Sequence, residues 1–273
     1  MSHRPAWAPD EIDLERPAPA RMYDYYLGGS HNFAADRELA RKALGAWPEL
    51  PQVTRANRAF LRRAVTFLAR EGITQFLDLG SGIPTVGNVH EIVAALNPQA
   101  STVYVDSDPV AVSHSRVLLA DTPNARFVHA DMRDPARVLA DPALEGFLDF
   151  GRPVAVLMFA VLHFVPDLDD PAAIVAAYRE ASAPGSYLAV SHATRDYLPE
   201  RSRDLEQVYS RSSATMTMRS HAEIIALMSG YELVSPGLTD MTRWRPDEEN
   251  ALPDPLGGDV TRYSGYGAVG RRE

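Results

Sequence analysis

The stretch FLDLGSGIPT, residues 76–85, joins a hydrophobic strand to a glycine turn at positions 80–82. Two glycines at this spacing permit a tight turn and let the backbone approach a ligand closely. In dinucleotide-binding folds a third glycine follows three positions later, because the helix behind the turn must pack close and present its N-terminus to a pyrophosphate. This chain has Thr85 at that position, directly after Pro84. The turn therefore favours a nucleoside ligand that has no pyrophosphate.

The composition excludes several classes of protein. The chain has 273 residues, 45% of them hydrophobic, which is enough for one large α/β domain. It contains no cysteine, so disulfides, thiolate metal sites and a cysteine nucleophile are excluded. The net charge of −9 argues against a broad surface for nucleic acid or anionic membranes. Because the sequence has neither a signal-peptide pattern nor an apolar run of about 18 residues, we expect a cytoplasmic protein without a membrane or nucleic-acid partner.

The patterns along the chain predict three segments. Residues 1–20 are rich in proline and charge and predict a flexible leader. Residues 21–72 predict a helical cap, with two short helices, the second ending at Gly45, and a longer helix over about 55–70. Residues 73–273 alternate strands with helices and predict the core domain.

Five apolar runs in the core domain predict neighbouring strands of a parallel sheet with helices on both faces, since each run is continuous rather than alternating. Two further runs near the C-terminus suit an antiparallel edge. Asp-Pro pairs at 108–109, 134–135 and 170–171 predict helix starts, because aspartate caps a helix and proline fits its first position. The seven predicted strands cover 74–79, 102–106, 126–130, 153–159, 186–192, 231–235 and 262–271.

Acidic residues end or follow the first three predicted strands, at the edge where ligands of open parallel sheets bind. Asp78 lies under the glycine turn, and Asp106, 26 positions after Gly80, can accept hydrogen bonds from both hydroxyls of a ribose. Asp131 and Met132 follow the third strand, where a carboxylate can accept from an adenine amino group and a backbone N–H can reach the ring. Acids in this order predict a site for S-adenosylmethionine, an adenosine joined through a sulfonium to an amino acid. Asp131 also fits a simple turn.

These motifs resemble those of the S-adenosylmethionine-dependent methyltransferases with a Rossmann-like fold. The matching stretches are FLDLGSGIPT (76–85), VYVDSDP (103–109), HADMRDP (129–135) and VLMFAVLHFVPD (156–167). More narrowly, the chain resembles a bacterial family of S-adenosyl methyltransferases that was formerly a domain of unknown function. That resemblance runs from roughly residue 17 to the end and rests on RMYDYYLGGSHNFAADR (21–37), RANRAFLRRAV (55–65) and GNVHE (87–91).

The resemblance implies a three-layer α/β/α sandwich with a seven-stranded, mostly parallel sheet whose last strand is inserted antiparallel. It also implies S-adenosylmethionine as the cofactor and S-adenosylhomocysteine as its product, with Phe159 and Ala160 on the sulfonium side. It implies no particular acceptor. The remaining cofactor-binding residues that follow from these motifs are Asp78, Gly80, Ser81, Gly82, Pro84, Asp106, Ser107, Asp131 and Met132.

The N-terminal helices are predicted to form a lid over the ligand site. The stretch YDYYLGGSHNF, residues 23–33, holds three tyrosines, whose hydroxyls need polar partners if they are buried. Gly28 and Gly29 would then serve as a hinge. Tyr23 and Arg58 are candidate cofactor ligands in the cap, since a planar guanidinium suits the methionine carboxylate. The alternative is an ordinary amphipathic rim with a solvated Arg58.

His163, directly after the fourth strand in AVLHF, is the candidate catalytic base. A neutral oxygen or nitrogen acceptor has to lose a proton, and histidine titrates near neutral pH. The same histidine could instead bond a loop carbonyl and only shape the pocket, while His192 and His31 are weaker candidates. No metal site is predicted, because His90 lacks a second histidine four positions later.

Two alternatives to a methyltransferase fit the same sequence. A non-catalytic protein that binds S-adenosylmethionine or S-adenosylhomocysteine would carry the same cofactor motifs. A nicotinamide-dependent oxidoreductase is disfavoured by Thr85 and by the lack of a Tyr-x-x-x-Lys pair, since Lys42 is the single lysine. The acidic charge and the predicted lid favour a small-molecule acceptor over a macromolecule. The identity of the acceptor and the oligomeric state stay open.

Overall fold

A mixed β-sheet lies at the centre of the protein, whose computed structural model describes residues 12–84, 87–246 and 255–273. The strands are β1 (Gln75–Leu79), β2 (Ser101–Asp106), β3 (Ala125–His129), β4 (Ala155–Phe159), β5 (Tyr187–Ala193), β6 (Glu232–Leu233), β7 (Thr239–Asp240) and β8 (Gly265–Arg271). Their order is β3-β2-β1-β4-β5-β8-β6, and β7 also pairs with β8. The first five strands are parallel, whereas β8 runs antiparallel to β5, β6 and β7.

Helices in the described part of the chain precede the sheet and connect its strands. They are α1 (Pro19–Tyr26), α2 (Ala34–Ala46), α3 (Leu50–Arg70), α4 (Val89–Ala94), α5 (Pro109–Leu118), α6 (Pro135–Leu139), α7 (Pro171–Ala181), α8 (Pro199–Tyr209) and α9 (His221–Leu227). None of these helices combines the length and the apolar character that a membrane crossing requires.

Two hydrophobic cores lie on opposite faces of the sheet, because the parallel strands are apolar on both sides. In β4, Val156 and Met158 pack in one core with residues of α6, α7 and α9. Leu157 and Phe159 of the same strand pack in the other core, with α3 and α4. Every residue of β1 and β4 is buried, so the central strands match the continuous apolar runs of the sequence.

The predicted fold class is confirmed, with local differences at the C-terminal edge. All seven predicted strands are present, and the last strand lies antiparallel between β5 and β6. β6 is shorter than predicted and covers only Glu232–Leu233. β8 begins at Gly265 instead of 262, because Val260–Arg262 forms a single 3₁₀ turn. The additional short strand β7 was not predicted.

The helix predictions hold best where a specific start signal exists. The three Asp-Pro starts are confirmed, since the aspartate side chain accepts from a backbone N–H in the first turn of α5, α6 and α7. Two boundaries were wrong: α2 continues past Gly45 to Ala46, and α3 begins at Leu50 rather than at 55. Helix α8 was not predicted, because its sequence PERSRDLEQVY is mostly polar.

The N-terminal helices form a third core with α8, separate from the sheet. Apolar side chains of α1 and α2, among them Met22 and Leu39, pack against Leu205 of α8. The end of the predicted leader is in contact with this cap, since Ser213 N donates to Pro17 O at 2.8 Å. The rest of the predicted leader, residues 1–11, lies outside the described residues.

The close approach of α3 to β8 predicts opposite effects for two glycine substitutions. In Gly267→Ala the new Cβ would lie 2.6 Å from the Phe60 ring, which is fully buried. We expect this overpacking to lower the free energy of unfolding by about 1–3 kcal/mol. The control Gly45→Ala, where a Cβ meets no atom within 4 Å, should raise it by about 0.5–1 kcal/mol. Urea unfolding measures both values, and equal effects of the two substitutions would contradict the packing.

Candidate active site

A cavity of about 410 Å³ opens at the carboxyl ends of the parallel strands, beneath the N-terminal cap. Its position follows from the sheet, because β2 lies on one side of β1 and β4 on the other, which leaves a crevice where the strand order reverses. Pro84 is the one predicted cofactor ligand that does not line it. The others do: Tyr23, Arg58, Asp78, Gly80, Ser81, Gly82, Asp106, Ser107, Asp131, Met132, Phe159 and Ala160.

The glycine turn after β1 borders this cavity. Gly80 and Gly82 have φ angles of +69° and +68°, in the left-handed region that favours glycine. A Cβ on Gly80 would lie 2.3 Å from the Val161 side chain, whereas one on Gly82 would meet no atom within 4 Å. Between them the Ser81 hydroxyl is buried and has no hydrogen-bond partner among the described residues. An orphaned hydroxyl beside accessible backbone fits a polar ligand that approaches the turn closely.

Asp106 is held across the glycine turn by backbone hydrogen bonds. Its Oδ2 accepts from Gly82 N at 2.7 Å and its Oδ1 from Asp108 N at 2.8 Å. Burial raises the pKa of Asp106 to about 6, although these hydrogen bonds act in the opposite direction. Because each carboxylate oxygen has further lone pairs, Asp106 can still accept from hydroxyl groups of a ligand.

Buried Asp78 and half-buried Arg58 form a charged region beside the turn. Burial raises the pKa of Asp78 to about 7, the positive charge of Arg58 lowers it, and the negative charge of Asp106 raises it. Arg58 Nη2 also donates to Gly87 O at 2.8 Å, which connects α3 to the segment after the turn. A carboxyl and a guanidinium in one region can pair with a ligand that carries both an ammonium and a carboxylate.

The third predicted acid, Asp131, is half-buried and paired with Arg133. The Arg133 guanidinium donates to both Asp131 oxygens and to Asp169 at 2.6–3.1 Å. Partial burial raises the pKa of Asp131, but the hydrogen bonds from Arg133 outweigh it and hold the pKa below its ordinary value. Asp131 Oδ1 also accepts from Arg133 N at 2.9 Å, as expected for a turn residue. Asp131 therefore stabilises a local turn and also lines the cavity with an ionised carboxylate.

A chain of hydrogen bonds links the end of β4 to the cap. Ala160, with a φ angle of +51°, donates its N–H to Ser191 Oγ at 2.9 Å, and Ser191 Oγ donates to Asn57 Oδ1 at 2.5 Å. Asn57 Nδ2 donates to Tyr23 OH at 3.0 Å, and that hydroxyl donates to Thr54 O at 3.0 Å. The chain fixes α1 and α3 relative to the strand ends.

A second, smaller cavity of about 90 Å³ shares part of its wall with the first. His163 and His192 line this second cavity and not the first. His31 lines neither cavity, and its ring lies 3.8 Å from that of His114. The residues that line both cavities are Pro19, Tyr23, Asn57, Ala160 and Phe164.

The two histidines of the second cavity differ in the hydrogen bonds that their ring nitrogens form. His192 donates from Nδ1 to Ala193 O at 2.7 Å and accepts at Nε2 from Arg219 Nη1 at 3.0 Å, so both nitrogens have partners. Burial lowers the pKa of His192 to about 3. Burial also holds the pKa of His163 well below its ordinary value, and His192 and Arg219 add to that effect. His163 Nδ1 accepts from Ala193 N at 3.4 Å.

Among the polar residues of the site that sequence reasoning missed are Asn57 and Arg219. Asn57 lies on the buried face of α3, three positions before Phe60 and seven before Ala64. A polar residue in such an apolar stripe is a usable signal, since a buried amide needs partners. Arg219 carries no such signal, because its partner Asp167 is 52 positions away in the sequence.

The chain matches the model of a protein family described as S-adenosyl methyltransferase over residues 5–273. It belongs to this family. Two solved structures are similar over nearly their whole length. A candidate methyltransferase from Thermobifida fusca YX is 40% identical over 98% of this chain and 100% of the other, with a TM-score of 0.90. A DUF574 family protein from Streptomyces avermitilis MA-4680 is 41% identical over 96% of this chain and 100% of the other, with a TM-score of 0.91. An O-methyltransferase family protein from Burkholderia thailandensis, 13% identical over 86% of this chain and 62% of the other, shares the fold with a TM-score of 0.52. No curated protein sequence matches the chain.

Membership of the S-adenosyl methyltransferase family makes S-adenosylmethionine the cofactor of this protein. The first cavity fits that cofactor on its own features. It offers an orphaned Ser81 hydroxyl, an accessible Gly82, and buried acids for hydroxyl and ammonium groups. The acceptor of the methyl group does not follow from the family.

The raised pKa of Asp78 predicts a specific pH dependence of stability. Because the folded state keeps a proton that the unfolded state releases above about pH 4, this group's contribution is present at low pH and is lost as pH rises through about 7. Asp78→Asn should flatten the decline of the unfolding free energy over that range, by up to about 1.4 kcal/mol per pH unit. The control Asp121→Asn, at an exposed position, should keep the wild-type slope. Urea unfolding from pH 4.5 to 8 gives the comparison, and an unchanged slope in Asp78→Asn would contradict it.

Proposed function

We propose that the protein transfers the methyl group of S-adenosylmethionine to a small-molecule acceptor. The observation that carries the proposal is the second cavity, which meets the cofactor cavity at Ala160 and Tyr23. A protein that only bound the cofactor would have no use for a second cavity at this point, which argues against a non-catalytic binding protein. The cavity lies between the cap and the strand ends, and a concave pocket of about 90 Å³ suits a small molecule better than a macromolecule.

The charged residues of the first cavity divide between the two ends of the cofactor. Asp106 would accept from the ribose hydroxyls, and Asp131 with Met132 would contact the adenine. Arg58 and Asp78 would pair with the carboxylate and the ammonium of the methionine part. The other proposed cofactor contacts are Tyr23, Gly80, Ser81, Gly82, Ser107, Phe159 and Ala160.

Transfer takes place where the two cavities meet, under this proposal. When bound, the cofactor supplies an electrophilic methyl group, and its transfer leaves the carbon–sulfur electron pair on sulfur. The protein's own part is to position the acceptor and exclude water, and positioning supplies a large share of catalysis in such displacements. The hydrogen-bond chain from Ala160 through Asn57 to Tyr23 keeps the cap closed over this point.

His163 is the proposed residue on the acceptor side. Its Nδ1 accepts from Ala193 N, so the neutral ring carries its proton on Nε2. No described residue forms a hydrogen bond with His163 Nε2, and the ring lines the second cavity. A donor at that position can orient the acceptor. A base at that position would first have to give up the bond to Ala193, so both roles are open to a kinetic test.

Titration calorimetry tests the cofactor assignment. Wild-type protein should bind S-adenosylmethionine and S-adenosylhomocysteine and should not bind NAD. Asp106→Ala should weaken both affinities at least about tenfold, because hydrogen bonds to a charged group contribute about 1.5–3 kcal/mol each.

The exposed control Asp121→Ala should bind like the wild type. Urea unfolding of each variant separates lost binding from lost folding, and Asp106→Asn serves where Asp106→Ala does not fold. Binding of NAD alone, or full affinity for S-adenosylhomocysteine in a folded Asp106 variant, would overturn the assignment.

Substitution of His163 should leave cofactor affinity nearly unchanged, since its side chain lines only the second cavity. We expect His163→Gln and His163→Ala to bind S-adenosylhomocysteine within about twofold of the wild type. With an acceptor in hand, a base role predicts a fall in kcat of about 10²–10⁴ in His163→Gln. A positioning role predicts that His163→Gln retains most of kcat and that His163→Ala raises KM. A tenfold loss of cofactor affinity in both variants would contradict the placement of His163.

A further inference from the structure

The wall of the second cavity carries no ionised side chain in the described part of the chain. None of its lining residues is Asp, Glu, Lys or Arg, whereas charged residues of both signs, such as Arg58 and Asp106, line the first cavity. The two imidazoles of the second cavity, His163 and His192, are neutral at neutral pH because burial lowers the pKa of each. In the described part of the chain, charged side chains therefore line the first cavity and not the second, and the change occurs at the residues that both cavities share.

The nearest buried cation is already neutralised by other partners. Arg219 is 3% exposed and donates to His192 Nε2, to the carbonyls of Leu162 and Val165 and, at 2.6 Å, to Asp167 Oδ1. Arg219 therefore fixes the His192 ring, and its charge is compensated by Asp167 outside the cavity. It is not available to compensate an anion bound there.

Polar side chains of the wall are already hydrogen-bonded, to one another or to residues outside the wall. The hydroxyls of Tyr26 and Tyr209 lie 3.2 Å apart in a mutual hydrogen bond. Burial raises the pKa of Tyr209 to about 12 and that of Tyr26 well above its ordinary value, so both phenols stay neutral. Trp47 Nε1 donates to Arg262 O at 3.1 Å. Met216 and Met218 fill much of the remaining wall with flexible apolar surface.

We infer that the methyl acceptor is an uncharged, largely apolar small molecule. This inference rests on the proposed function and specifies its substrate. An ion in this cavity would lose its hydration without gaining a partner, which costs several kcal/mol. The volume of about 90 Å³ restricts the part of the acceptor that enters the cavity to a small apolar group.

His163 supplies the one polar contact that the inferred acceptor needs. His163 lines the cavity, and no described residue forms a hydrogen bond with its Nε2. A single donor in an otherwise apolar cavity orients a hydroxyl or an amine nitrogen without compensating a full charge. The acceptor is therefore held by apolar packing and by one hydrogen bond.

Probes of equal shape and different charge test this inference directly. The probes are benzyl alcohol, benzoate and benzylammonium, with indole as a second uncharged ring, and their binding is measured by ligand-observed NMR with and without S-adenosylhomocysteine. We expect the two uncharged probes to bind at least about tenfold more tightly than the two ions. Val53→Phe fills the cavity from α3 and should weaken the uncharged probes at least tenfold. The matched control Val117→Phe, at a position 78% exposed on α5, should bind them like the wild type.

The outcomes separate this inference from the proposed function. Binding of benzoate or benzylammonium that equals that of the uncharged probes and is lost in Val53→Phe would overturn the inference, as would the failure of both uncharged probes to bind the wild type. Uncharged binding that persists in a folded Val53→Phe would place the probes elsewhere and also overturn it. Met216→Trp fills the same cavity where Val53→Phe does not fold. If S-adenosylhomocysteine itself does not bind, the proposed function fails, while the probe measurements without it still decide the character of the cavity.

Discussion

The reversal of strand order between β1 and β4 is the constraint on which the first cavity depends. The chain leaves β1 towards β2 and β3 and returns to β4 on the other side, so the ends of the two central strands face an open crevice. These ends approach so closely that a Cβ on Gly80 would collide with Val161. Glycine on one side and the positive φ of Ala160 on the other make the approach possible. Main-chain atoms therefore border the middle of the cavity, and the charged side chains lie towards its ends.

The acids at this crevice make the protein without its ligand less stable than it could be. Asp78 and Asp106 are buried, and their raised pKa values reflect the free energy of keeping a carboxylate away from water. Hydroxyl and ammonium groups of a ligand can offset that penalty, because they hydrogen-bond the ionised form. Ligand binding at such a site gains free energy because it relieves a penalty that the free protein already carries. The Ser81 hydroxyl, which has no hydrogen-bond partner among the described residues, fits the same logic.

The sequence predicts the cofactor half of the site far better than the second cavity. Strand-final acids and the glycine turn are local signals, and a parallel sheet brings local signals at successive strand ends to one edge. The second cavity depends on α8, whose polar sequence hides its few buried residues, and on Arg219, which reaches partners more than 50 positions away. Among the described residues, which of His163 and His192 has a free ring nitrogen also depends on residues that are distant in the sequence. Both end or follow apolar strands, and only the distant Arg219 shows that the Nε2 of His192 is occupied.

The two cavities are built from different parts of the chain, and this has a consequence for specificity. Strand ends of the sheet supply the acids Asp78, Asp106 and Asp131 of the first cavity, whereas α1, α3, α8 and the segment after α8 supply half of the residues that line the second. Changes in α8 can therefore alter the wall of the second cavity without touching the acids at the crevice. The coupling between the two runs through Asn57, which bonds both Ser191 of the sheet and Tyr23 of the cap. A cap that moved to admit an acceptor would break this link, so acceptor entry and the geometry at Ala160 are connected through one amide.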